Sequence, residues 1–116
     1  MTYQEMIEKT DMVADIDRSV QQMAYEFESD PGHGWLSVPR WVLRWLNIEH
    51  RISWYSYQNG NDAFLEEDSD TYLFLKAYRQ RYGTKAKIQE TRTNDGDSPI
   101  RSMQHYTYYK EVTECV

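Results

Sequence analysis

The stretch MAYEFESDPGHGWLSV (Met23–Val38) decides how the rest of the chain is read. Met23, Tyr25 and Phe27 alternate with Ala24, Glu26 and Glu28, the period-2 pattern of a half-buried strand. Asp30-Pro31-Gly32-His33 follows with turn chemistry. Proline presets φ at the second position, and glycine at the third suits the positive φ of a type II turn. Gly34–Val38 then returns as a second strand, which makes the whole stretch a β-hairpin.

Working outward, the period changes on the N-terminal side. Met12, Val13, Ile16 and Val20 form a helical stripe. Thr2 and Glu5 have the spacing of a capping box. Thr10 or Asp11 offers a second cap, so the sequence allows one helix or two before Gln22. On the C-terminal side Pro39 suits the first turn of a helix carrying Val42, Trp45 and Leu46 on its apolar side, with Asn47 as a left-handed stop. ISWYSYQ (Ile52–Gln58) is rich in strand formers, Asn59-Gly60 is a hairpin-turn signal, and AFLEE is the partner strand. Asp68 or Ser69 then starts a helix through Arg81, with Leu73, Phe74, Ala77 and Tyr78 as its buried stripe. Acids sit at its start, arginines at its end, and Gly83 follows. Ala86–Thr93 reads as a charged edge strand. The segment from Ile100 reads as a strand or an irregular cover for the sheet. The expected fold is α+β, a single domain with a small, mostly antiparallel sheet of about five strands packed with two or three helices. Residues 1–20 are expected as an acidic helical extension on a 21–116 core.

Charge narrows the function classes. The 116 residues carry a net charge of -6, with -6 in residues 1–30, -5 in 62–70 and +5 in 71–92. A general nucleic-acid binder is usually basic, so this chain is better suited to a basic partner. Aromatic residues make up 15%, with ten tyrosines and four tryptophans, so several half-exposed rings are expected, some at an interface. No apolar run is long enough for a transmembrane helix. The N-terminal residues lack a basic, apolar leader, and the single cysteine, Cys115, suits a reducing compartment.

The block from DPGHGW through ISWYSYQ and LEEDSD, together with the later SPIRS, resembles a group of small bacteriophage and mobile-element proteins with no established activity. The resemblance spans about residues 25–103. Asn47 stands where the group has glycine, and Ser69 stands where it has cysteine, which weakens a metal or thiol role there. The resemblance implies a phage accessory protein in the cytoplasm of a bacterial host.

Several constellations carry possible chemistry. His33 with Asp30 has the composition of a general-base pair for a small hydrolase, with Ser29 or Ser37 nearby, although neither serine lies in a nucleophile elbow. The competing reading is a turn that Asp30 caps, with His33 at a polar turn position. EEDSD (Glu66, Glu67, Asp68, Asp70) offers oxygens for Mg²⁺ or Ca²⁺, but lacks EF-hand spacing and serves equally as helix-start chemistry. His33, His50 and His105 have no zinc spacing. No cofactor is expected. Glu5, Glu8, Asp11 and Asp15 fall on one side of a helix, at spacings comparable with DNA phosphates. With Glu66, Glu67, Asp68 and Asp70, they form the expected partner-binding surface.

The leading expectation is a non-enzymatic inhibitor of anti-CRISPR or anti-restriction type. It would bind a host protein or nucleoprotein complex with a basic surface, by DNA mimicry. It would touch neither nucleic acid nor membrane directly, and a homodimer is compatible with it. The alternative is a nucleotide-sequestering protein using Arg92, Arg101, Tyr106 and Trp54.

Overall fold

The hairpin at Met23–Val38 forms as strands β1 (Ala24–Ser29) and β2 (Gly34–Pro39), paired antiparallel in register Phe27↔Leu36 and Ser29↔Gly34. The computed structural model describes residues 1–108. The chain is α+β: three α-helices and a six-stranded, mostly antiparallel sheet. Helix α1 (Tyr3–Gln22) leads into β1; α2 (Arg40–Trp45) follows β2; β3 (Tyr57–Asn59) and β4 (Asp62–Glu66) form a second hairpin; α3 (Asp70–Tyr82) precedes β5 (Lys87–Thr93) and β6 (Gln104–His105). Short 3-10 turns at Glu49–Arg51 and Pro99–Ser102 precede β3 and β6. Among the described strands the order is β5-β1-β2-β4-β3-β6, and only β1 with β5 is parallel. No described helix is long and apolar enough to cross a membrane.

The helices cover one face of the sheet. Tyr25, Leu36, Val38, Ala63 and Leu65 point into a core completed by Val42 and Leu43 of α2 and Phe74 and Tyr78 of α3. Tyr25 meets Phe74 edge-on at 5.0 Å, a favoured aromatic geometry. Helix α3 stops at Gly83, whose φ of 72° is the left-handed cap expected of glycine. Asn47 has φ 59°, the left-handed stop expected after α2.

Helix α1 is one helix of 20 residues, and Thr2 and Glu5 form the capping box. It docks through its last turns. Val20 is fully buried, and Asp17 accepts hydrogen bonds from Trp45 Nε1 at 2.8 Å, Tyr82 Oη at 2.6 Å and Arg81 Nε at 2.8 Å.

Three local expectations are corrected. Gly32 does not take a positive φ, so the Asp30–His33 turn is not type II. A Cβ there would lie 2.9 Å from Arg101 Nη2, so a larger residue would press on the guanidinium that Asp30 holds. ISWYSYQ is a strand only from Tyr57. Residues 53–56 turn instead, because Ser53 N, Ser53 Oγ and Ser56 Oγ all donate to Asp70 Oδ2, at 3.0, 2.6 and 2.5 Å. Such side-chain bonds compete with ladder formation. The β3–β4 loop is Gly60-Asn61 rather than Asn59-Gly60, since Asn59 pairs with Asp62. Gly60 alone has positive φ, the pattern of a type II′ turn, and the Asn61 carbonyl accepts from Arg40 N at 2.8 Å.

Candidate functional site

Strand parity builds the site. Residues that oppose each other in a sheet share a face, and the helices already cover the Leu36–Leu65 face. Trp35 opposes Glu66, Tyr57 opposes Phe64, and Tyr57 also opposes His105. These side chains therefore lie on the other face. There Trp35, Tyr57, Glu66 and His105 frame a cleft of about 400 Å³ with His33, Tyr55 and Arg101.

The cleft is walled by rings. Trp54 stacks on His105 with centroids 3.6 Å apart and planes 11° from parallel. His105 in turn stacks on Tyr57 at 4.6 Å, and its Nδ1 donates to the Trp54 carbonyl at 2.8 Å. Trp35 meets Tyr57 edge-on at 6.2 Å, and the Arg101 guanidinium lies 5.3 Å from the Trp35 ring centroid. Trp35 is only 2% exposed, yet its indole N–H finds no acceptor among the described residues.

Arg101 is held in place by Asp30. Asp30 accepts from Arg101 Nε at 2.6 Å and Nη2 at 2.9 Å, and from the backbone N–H groups of Gly32, His33 and Ser98. The guanidinium, supported by those N–H groups, holds the Asp30 carboxyl well below the usual carboxylate range. Nη1 of Arg101 makes no hydrogen bond among the described residues, and the side chain is partly exposed.

The structure corrects the His33–Asp30 pairing. The Asp30 carboxylate binds the His33 backbone N–H, whereas the His33 ring turns to Glu66, with Nδ1 3.3 Å from Oε1. Asp30 is thus a brace for the turn and for Arg101, and the pair does not have the geometry of a general-base dyad.

EEDSD divides into separate roles. His33, Glu66, Glu67 and Asp68 each bring a donor atom within 4.8 Å of the others. However, Glu66 Oε2 already accepts from Asp68 N at 2.8 Å and Ser69 Oγ at 3.3 Å, which is bracing of the turn into α3. Glu67 and Asp68 are exposed. Asp70, expected on a partner-binding surface, is instead buried and anchors Ser53 and Ser56.

Of the four expected nucleotide-binding residues, Arg101 lines the cleft, and Trp54 backs His105 in its wall. Tyr106 does not take part. It is buried in the core and donates to the Glu49 carbonyl at 2.6 Å, and burial pushes its phenol up to about 12. Arg92 lies on β5, opposite Glu28, outside the cleft lining. Tyr55, Tyr57 and His105 were not anticipated. For Tyr57 and His105 the signal was parity: Trp35 and Phe64 sit one residue out of phase with Leu36 and Leu65, so a second, aromatic face follows once the core face is known, whereas Tyr55 reaches the cleft from the Ser53–Ser56 turn. On α1, Glu5, Glu8, Asp11 and Asp15 are all exposed, and Asp15 pairs with Arg18 at 2.7 Å.

The segments DPGHGW, ISWYSYQ, LEEDSD and SPIRS, scattered along the sequence, each contribute to this one cleft through His33 and Trp35, Tyr55 and Tyr57, Glu66 and Ser69, and Arg101. Compared with protein-family models, curated proteins and solved structures, the chain matches none.

Proposed function

We propose that this protein captures a small planar ligand bearing hydrogen-bond acceptors, and that a nucleotide signal is the class it sequesters. The observation that carries the reading is the indole N–H of Trp35, a buried donor without an acceptor in the wall of a cleft otherwise built of stacking rings. An unsatisfied buried donor costs about 1–3 kcal/mol; the Trp35 N–H has almost no exposed surface, so a ligand acceptor that recovers this cost must displace a neighbouring ring to reach it. The Trp54–His105–Tyr57 stack supports a platform for a base, Arg101 Nη1 supports contact with an anionic group, and the volume of about 400 Å³ suits a small molecule. The test is a panel of mono-, di- and cyclic nucleotides. It is read by melting temperature and by the Trp35 indole N–H resonance, assigned with Trp35→Phe. A bound nucleotide raises the melting temperature and moves that resonance. A panel that moves neither removes the reading.

A second reading rests on α1. Glu8, Asp11 and Asp15 are exposed on the side of the helix away from Val20. They suit the basic groove of a nucleic-acid-handling complex of a bacterial host, as in anti-CRISPR or anti-restriction inhibition by DNA mimicry. Binding would weaken steeply with salt, and reversing the three acids to lysine would abolish it. Capture that ignores salt, or survives the reversal, counts against it.

A further inference from the structure

The buried row of α1 does not end where the core ends. Met6, Val13 and Val20 are spaced seven apart and so share one line along the helix. Their burial falls from fully buried at Val20, through half-buried at Val13, to 51% exposed at Met6. Tyr3 and Ile7 flank Met6 and are also exposed, at 78% and 38%. Among the described residues, the first half of α1 therefore carries an apolar stripe with nothing on it. Asp11 borders the stripe on one side and Glu5 on the other.

A complementary surface lies elsewhere on the same chain. Tyr72, Leu75, Lys76 and Arg79 form one row of α3, at i, i+3, i+4 and i+7. With Lys85 and Ala86 just before β5 and Ile88 within it, they enclose a groove of about 450 Å³. Its floor is apolar. Lys76 and Arg79 stand on one rim and Lys85 on the other, and none of the three has an ion-pair partner among the described residues. Ile88 and Tyr72 are themselves exposed, at 43% and 67%.

We infer that the stripe of α1 in one copy seats in the α3–β5 groove of a second copy, making a reciprocal homodimer. Tyr3, Met6 and Ile7 meet the apolar floor, while Asp11 and Glu5 meet the lysines and arginine of the two rims. A two-fold axis makes the contact twice, so each copy gives a helix and receives one. Glu8 and Asp15 stay outside the contact, and so does the cleft on the uncovered sheet face.

The test is the mass in solution by light scattering or sedimentation. The wild type is expected at twice the 14.0 kDa chain mass, with dissociation favoured by added salt. A helix variant (Met6→Glu with Ile7→Glu) and a groove variant (Leu75→Glu with Ile88→Glu) should each shift to monomer with helix content retained. Mixed together, the two variants should form a heterodimer, because a groove-intact chain then meets a stripe-intact chain at one of the two contacts. Three results overturn the inference: a monomeric wild type, a groove variant that stays dimeric, or a mixture that stays monomeric while both variants remain folded.

Discussion

Asp30 and Arg101 are joined through two nitrogens, at 2.6 and 2.9 Å, although 71 residues of chain separate them. This fork ties the β1–β2 turn to the 3-10 turn before β6, and it is what lays Arg101 beside Trp35. Asp30→Asn should lower the melting temperature and weaken ligand capture together, since the guanidinium loses its anchor. The double variant Asp30→Asn with Arg101→Met should melt higher than Asp30→Asn alone, because no unpaired charge is left behind. Thermal denaturation of the two variants side by side decides it. A single variant as stable as the wild type shows that the fork does not hold the turns.

Stability should fall at both ends of the pH scale for different reasons. The Asp30 carboxyl lies well below the usual range, and the Arg81 guanidinium, with Tyr82 and Trp45, lowers Asp17 to about 2. An unfolded aspartate titrates near 3.9, so both groups stabilise the fold above that value and lose the contribution as pH falls toward 2. At the alkaline end burial raises Tyr82 and Tyr106 to about 12. Their contribution is intact below about 10 and is lost as pH rises through 12. A melting-temperature profile should show a plateau between those limits, and Asp17→Asn should flatten its acid arm.

Trp35→Phe keeps a ring in the wall and removes the N–H. If the ligand accepts that hydrogen bond, affinity should drop about tenfold, the worth of one hydrogen bond of ~1.4 kcal/mol. Calorimetric titration of the variant is the measurement. An unchanged affinity assigns the orphan donor no role in recognition.

Gly34 is needed for space. A Cβ there would stand 2.2 Å from Phe27 Cζ and 2.8 Å from Glu67 Oε2. Gly34→Ala should therefore cost about 1–3 kcal/mol in urea unfolding, the usual penalty of overpacking. A neutral result means the Phe27 ring yields freely.

The acids of EEDSD should separate by effect. Asp70→Ala leaves the Ser53 and Ser56 donors without their acceptor and should cost about 1–3 kcal/mol per orphaned donor. Glu67→Gln and Asp68→Asn, both exposed, should stay within about 0.5 kcal/mol. Urea unfolding of the three variants tests the division.

The local rules read from the chain carried far because they depend on neighbours in sequence. Thr2 with Glu5 capped α1, Gly83 and Asn47 ended helices at positive φ, alternation over Met23–Glu28 became β1, and the partner strand read at AFLEE became β4. The rules failed where a distant side chain intervened. Asp70 drew Ser53 and Ser56 out of the strand that ISWYSYQ favours, and Arg101 fills the space beside Gly32. The site was half legible for the same reason. Arg101 and Trp54 drew notice as an arginine and a ring, while Tyr57 and His105 acquire meaning only from register, and Tyr55 only from the turn that Asp70 holds.

By itself the sequence determined the α+β class, most element boundaries, the acidic face of α1 and the basic segment after Asp70. All of these follow from periodicity, capping and charge over a few residues. Only the tertiary structure decided which sheet face the helices cover, that Asp30 serves Arg101 rather than the His33 ring, and that four separated motifs meet at one cleft. Those outcomes depend on strand order and register, which are set by long-range packing and which no short window of residues contains.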